Sequence, residues 1–142
     1  MVAIVGSNED FAWAEKLRKT FVSIDVLYGL DVVALDCVEF MSIEKNVLFN
    51  RKMCAIILMV STSFLESVGV RSLCILSLAE RENVHVLWLS LSYSVVAFNP
   101  IAALQPVYET TKSIDSLAGH EQDAVFVEIV RKVVKIFEAC KN

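Results

Sequence analysis

Clusters of metal-binding or phosphate-cradling residues are missing from this sequence, and each absence closes off a class of function. Its four cysteines, Cys37, Cys54, Cys74 and Cys140, are widely spaced with no C-x-x-C pair, and its two histidines, His85 and His120, stand alone. A zinc site needs such ligands grouped, so no metal is expected. The cysteines read instead as reduced, buried thiols of a cytoplasmic protein, and His85 as a half-buried histidine with a partner. A basic segment leading into an apolar signal core is absent from the N-terminus, which also points to the cytoplasm. A single glycine, Gly6, follows the first apolar run. One glycine makes neither a G-x-G-x-x-G dinucleotide fingerprint nor a P-loop.

Basic residues are outnumbered, 13 against 17 acidic, for a net charge of −4, and they are scattered. Nucleic-acid binding needs them concentrated on one face to displace phosphate counterions, so none is expected. Long apolar runs are missing too. With 56% hydrophobic residues and a mean hydropathy of +0.57, a membrane segment has to be considered. Yet the longest runs, Cys54 to Val60 and Val84 to Leu91, fall far short of the roughly 20 residues that a spanning helix needs. Parallel strands covered on both faces, or an apolar interface, account for the surplus.

What is present is organised around Met53 to Glu80. Cys54 to Val60 is an unbroken run of long and β-branched aliphatics, which predicts a central strand buried on both faces. Ser61, Thr62 and Ser63 can then cap a helix, and Leu65, Val68, Ser72, Ile75, Leu76 and Ala79 follow at helical spacing. Ligands of open α/β sheets sit where a strand's carboxyl end passes into a helix, so Ser61 to Leu73 forms one wall of any site.

The remaining elements follow in chain order. Met1 to Val5 reads as a strand ending in the polar turn Gly6 to Asp10, and Phe11, Ala14, Leu17 and Phe21 as one face of a helix closed near Gly29. Asp31 to Asp36 reads as a second strand, Cys37 to Met41 as a loop, and Ser42 to Asn50 as a short helix capped by Ser42. Val84 to Leu91 is a fourth strand and Ser92 to Ala103 an irregular stretch. Gln105 to Tyr108 is a short fifth strand, which Pro106 confines to an edge or a strand start. Phe126, Ile129, Val130, Val133, Ile136, Phe137 and Cys140 make the stripe of a last helix. The 142 residues suit a single domain spanning 1–142. Five strands alternating with helices predict an α/β fold, a flavodoxin-like doubly wound five-stranded parallel sheet flanked by helices, in the order 2-1-3-4-5.

The order of these motifs resembles the TIR (Toll/interleukin-1 receptor-like) domain, in particular its bacterial branch. The resemblance rests on Ser7 to Asp10 followed by the AEKLRKTF helix, LD before the SIEKN segment, the central strand followed by STSFLES, and LQPVYETTKSID before the FVEIVRKV helix. The resemblance implies two functions. One is assembly through homotypic or heterotypic contacts with another copy or another TIR-like protein in an immune or conflict-type signalling system. The other is cleavage of the nicotinamide–ribose bond of NAD as substrate, for which Gly6, Ser7, Asp10, Asp36 and Ser61 would line the nucleotide site. Enzymatic members carry a glutamate on the helix after the central strand, beside a Trp-Cys or Tyr-Cys pair. Here Gly69-Val70 stands for that pair and Leu73 or Cys74 for the glutamate, so the carboxylate is missing. A leucine can neither bind sugar hydroxyls nor offset the charge of an oxocarbenium-like transition state. Glu66 and Glu80 lie seven residues to either side of Leu73, about 10 Å away along a helix axis. Assembly without catalysis is therefore the first expectation and NAD hydrolysis the alternative.

Where many TIR domains have Pro-Gly, this chain has Cys37 to Met41. Val38, Phe40 and Met41 there either tuck into the core or dock onto a neighbour, together with Leu73, Cys74 and Leu78 from the following helix. A phosphorylation receiver shares this architecture, but Ser61 occupies the place of its nucleophilic aspartate and no lysine ends the fifth strand, which argues against it.

Overall fold

A computed structural model describes residues 1–28, 30–42, 53–68, 84–92, 104–107 and 113–141. The strands are β1 (Val2–Gly6), β2 (Val32–Asp36), β3 (Ala55–Val60), β4 (His85–Ser90) and β5 (Gln105–Pro106). They form one sheet in the order β2-β1-β3-β4-β5. Every pair is parallel, with Val2 opposite both Val32 and Ala55, Ala55 opposite His85, and Leu87 opposite Gln105. The α/β, flavodoxin-like parallel arrangement expected from the alternating pattern is the one observed. β3 lies at the centre, and all of its residues are buried.

The helices are α1 (Phe11–Tyr28), α2 (Cys37–Ser42), α3 (Thr62–Val68) and α4 (Gly119–Lys141). Successive side chains of a strand point to opposite faces, and β1 and β3 sort accordingly. Val2, Ile4, Ala55, Ile57 and Met59 join Ala14, Leu17 and Phe21 of α1 and Phe126, Ile129, Val130 and Val133 of α4 on one face. Ala3, Val5, Ile56, Leu58 and Val60 join Cys37 and Phe40 of α2 and Phe64 of α3 on the other. A strand that feeds two cores must be apolar at every position, which is why Cys54 to Val60 shows no alternation.

Some local expectations are corrected. Cys37 to Met41 is helix, not loop, and Ser42 lies in the last turn of that helix, while the helix expected over the residues that follow it lies outside the described residues. The cause of the early helix is an Asp-x-x-Glu capping box. The Glu39 N–H donates to Asp36 Oδ1 at 2.7 Å, and the Asp36 N–H donates back to Glu39 Oε1 at 3.5 Å, so the helix starts directly from β2. His85 is exposed, not half-buried, because it opens β4 at the rim of the sheet. β5 is shorter than Gln105 to Tyr108. Pro106 pairs with Trp88 at the sheet edge, and Val107 then donates its N–H to the Trp88 carbonyl at 2.8 Å. Gly29, residues 43–50, the helical continuation expected beyond Val68, residues 93–103 and Tyr108 lie outside the described residues. Among the described residues no helix is long and apolar enough to cross a membrane.

Candidate functional site

The chain leaves β1 toward one face of the sheet, into α1, and leaves β3 toward the other, into α3. Between the two departing turns lies the topological switch point, the usual place for a ligand in a sheet of this order. β1 ends at Gly6, and Ser7 begins a 3-10 turn, Asn8–Asp10, closed by the Asp10 N–H donating to the Ser7 carbonyl at 3.0 Å. Next door, β3 ends at Val60, and Ser61 caps α3. Its Oγ accepts the Phe64 N–H at 3.1 Å and its carbonyl accepts the Leu65 N–H at 3.0 Å, as the Ser-Thr-Ser sequence predicts.

One carboxylate oxygen joins the two turns. Asp10 Oδ2 accepts the Ser7 hydroxyl at 2.8 Å and also the Ser61 hydroxyl. The two serines are 0% and 3% exposed, so each hydroxyl needs a protein partner, and Asp10 supplies it. A methyl group at Gly6 would meet Ala14 Cβ, the Asp10 carbonyl and Met59 Cβ at 3.7 Å each. That is ordinary contact, so this glycine is not demanded by close approach.

Asp36 ends β2 at the same edge and is engaged in the cap of α2. Cys37, next to it, is buried, and its thiol is pushed up from 9.0 to about 11, by burial first and then by the charges of Asp36 and Asp10. It is therefore a neutral thiol at neutral pH and a poor nucleophile. The turn residues 7–10, 36–40 and 61–64 contain Glu9, Asp10, Asp36 and Glu39 and no lysine or arginine, so the described part of this edge is acidic.

Gly6, Ser7, Asp10, Asp36 and Ser61 thus all reach the carboxyl edge of the sheet, and Ser7, Asp10 and Ser61 are bonded together. The proposed interface residues divide. Val38 is 75% exposed, whereas Phe40 is 7% exposed and packs in the core beside Val5 and Phe64. Phe40 takes the core alternative because it lies one helical turn from the buried Cys37. The Met41 side chain, Leu73, Cys74, Leu78 and Glu80 lie outside the described residues, and Glu66 is exposed on α3. Among the described residues no group of three or more His, Cys, Asp or Glu is placed to hold a metal. The Asp10–Ser61 contact could not be found by spacing, since 51 residues separate the partners. The Asp36–Glu39 box was missed when Cys37 to Met41 was read as a loop, although the local D-x-x-E pattern is the signal that could have found it.

No family model matches the chain, and no curated protein matches it. Among solved structures, it is similar to the crystal structure of the flavodoxin-like domain of a Synechococcus sp. protein, at 11% identity and a TM-score of 0.46, over 95% of this chain and 99% of that one.

Proposed function

We propose that this chain is a TIR-like signalling domain that acts by protein–protein assembly, with itself or with another TIR-like protein, in an immune or conflict-type system, without cleaving NAD. The observation that carries the non-catalytic part is the state of Asp10. At the switch point, where a nucleotide would lodge, its carboxylate oxygen already holds the Ser7 and Ser61 hydroxyls. A nucleotide entering there would have to displace a part-buried hydrogen-bonded network, and its phosphates would meet an edge that carries Glu9, Asp36 and Glu39, whose charges oppose an anion. Leu73 in place of the family's glutamate supports the same reading. The assembly part rests on the motif resemblance and on the exposed Val38 at the tip of α2. The buried thiols Cys37 and Cys54 suit a reducing, cytoplasmic setting.

The test is incubation with NAD at high protein concentration while free nicotinamide is followed, with light scattering over the same concentration series. The expected result is a mass that rises with concentration and no nicotinamide above the protein-free control. Robust release that Glu66→Ala or Glu80→Ala abolishes would establish the hydrolase alternative. A monomeric mass throughout would remove self-association and leave only a different TIR-like partner.

A further inference from the structure

We propose that Asp10 is a latch across the switch point, so that the β1–α1 turn and the first turn of α3 open and close as one unit. This goes beyond the assembly reading and does not depend on it. The two turns are seated on opposite faces of the sheet. The first is anchored by Ala14, Leu17 and Phe21, the second by Phe64. Nothing in either core requires them to move together, yet a single oxygen, Asp10 Oδ2, receives a hydroxyl from each.

The proton count makes the latch cooperative. A serine hydroxyl has one proton, and that of Ser61 is committed to Asp10. A lone pair of the same oxygen is thereby turned toward the Phe64 N–H, which it accepts at 3.1 Å. Holding Asp10 and capping α3 are one arrangement of one oxygen. Ser7 spends its proton on the same acceptor, and its carbonyl receives the Asp10 N–H at 3.0 Å. Removing the carboxylate leaves two buried hydroxyls without their acceptor, one in each turn. An occupant that opens the latch must therefore bring its own hydrogen-bond donors to Asp10, as a hydroxyl-bearing or guanidinium-bearing group does. A bare anion brings none and is repelled.

Amide hydrogen exchange on the full chain tests this, with the Asp10, Phe64 and Leu65 N–H groups as reporters. Ser61→Ala and Asp10→Ala should each speed exchange about tenfold at both turns, including the one that does not carry the substitution, while β1 and β3 amides keep their protection. Asp10→Asn, which retains an acceptor oxygen, should give a smaller rise at the same amides. If Asp10→Ala fails to fold, Ser61→Ala and Asp10→Asn carry the test. Faster exchange confined to the substituted turn, or at neither turn, would overturn the latch.

Discussion

Val38 and Phe40 stand two positions apart on α2, and apolarity alone does not say which of them faces water. A helix settles it. Phe40 falls on the face of Cys37 and is buried, and Val38 falls on the opposite face and is exposed. Phe40→Asp should therefore place a carboxylate in the core and destabilise the domain by about 3 kcal/mol or more. Val38→Asp should change stability by no more than about 0.5 kcal/mol. Urea unfolding distinguishes the two, and only Val38→Asp is a clean probe of association by light scattering. A folded monomer there, with a wild type that associates, would assign α2 to the contact. Cys37 makes a second residue-scale prediction. Its thiol titrates at about 11 when folded against 9.0 otherwise, so between those values the unfolded chain has lost the proton that the native state keeps. The stability contributed by the neutral thiol is whole below pH 9.0 and lost as pH rises through about 11. Urea midpoints should fall more steeply over that window in the wild type than in Cys37→Ala. At this scale the Ser61 cap was legible, because a cap is a local bond. The burial of Phe40 was not, because reading Cys37 to Met41 as a loop hid the i, i+3 relation that decides it.

Element boundaries were legible where a run of one character ended in a polar turn, as in β1, β3 and β4, and blurred where a cap replaced the turn, as between β2 and α2. The docking of α4 shows how far helical periodicity carries. Its buried stripe was readable, but the polar contacts that fix its entry were not, since one comes from α1, far away in sequence, and the other joins Gln122 to carbonyls of the preceding turn, which residue spacing does not reveal. Two of them can be ranked. Lys16 of α1 pairs with Asp123 at 3.2 Å and lies 5.6 and 5.4 Å from the ring centroids of Trp13 and Phe126. Asp123 is largely exposed and Lys16 partly so, so the pair is worth at most about 1 kcal/mol. Gln122 Nε2 donates to the carbonyls of Ile114 and Leu117 at 3.1 and 3.0 Å, tying the 3-10 turn Ile114–Ser116 to the first helical turns. It is half-buried, and two carbonyls lose a partner when it is removed. Gln122→Ala should cost about 1–2 kcal/mol and Lys16→Met, which keeps the apolar stem, less than about 1 kcal/mol. Thermal unfolding of the two variants checks the order, and a larger loss in Lys16→Met would show that the ring contacts outweigh the Gln122 bonds.

At the scale of the whole molecule, the fold followed from the sequence because strand order in a doubly wound sheet is constrained by right-handed crossovers once the strands are known. The site did not follow, since Ser7, Asp10 and Ser61 become neighbours only after β1 and β3 pair. The pairing that creates the site also divides the interior into two clusters on opposite faces of β3, with Ile57 in one and Ile56 in the other. Both side chains are fully buried, so each loses the same transfer energy on truncation and leaves a comparable cavity. Ile56→Ala and Ile57→Ala should each cost about 2–5 kcal/mol. A central strand shared by both clusters also makes the two layers interdependent, since neither can dissolve while β3 stays paired. Each variant should therefore unfold in a single urea transition that coincides by near-UV absorbance and far-UV circular dichroism, with an unchanged slope. A cost below about 1 kcal/mol at Ile56 alone would mean that the α2–α3 layer collapses onto the gap or is only loosely seated. Two separated transitions would mean that the layers fold independently.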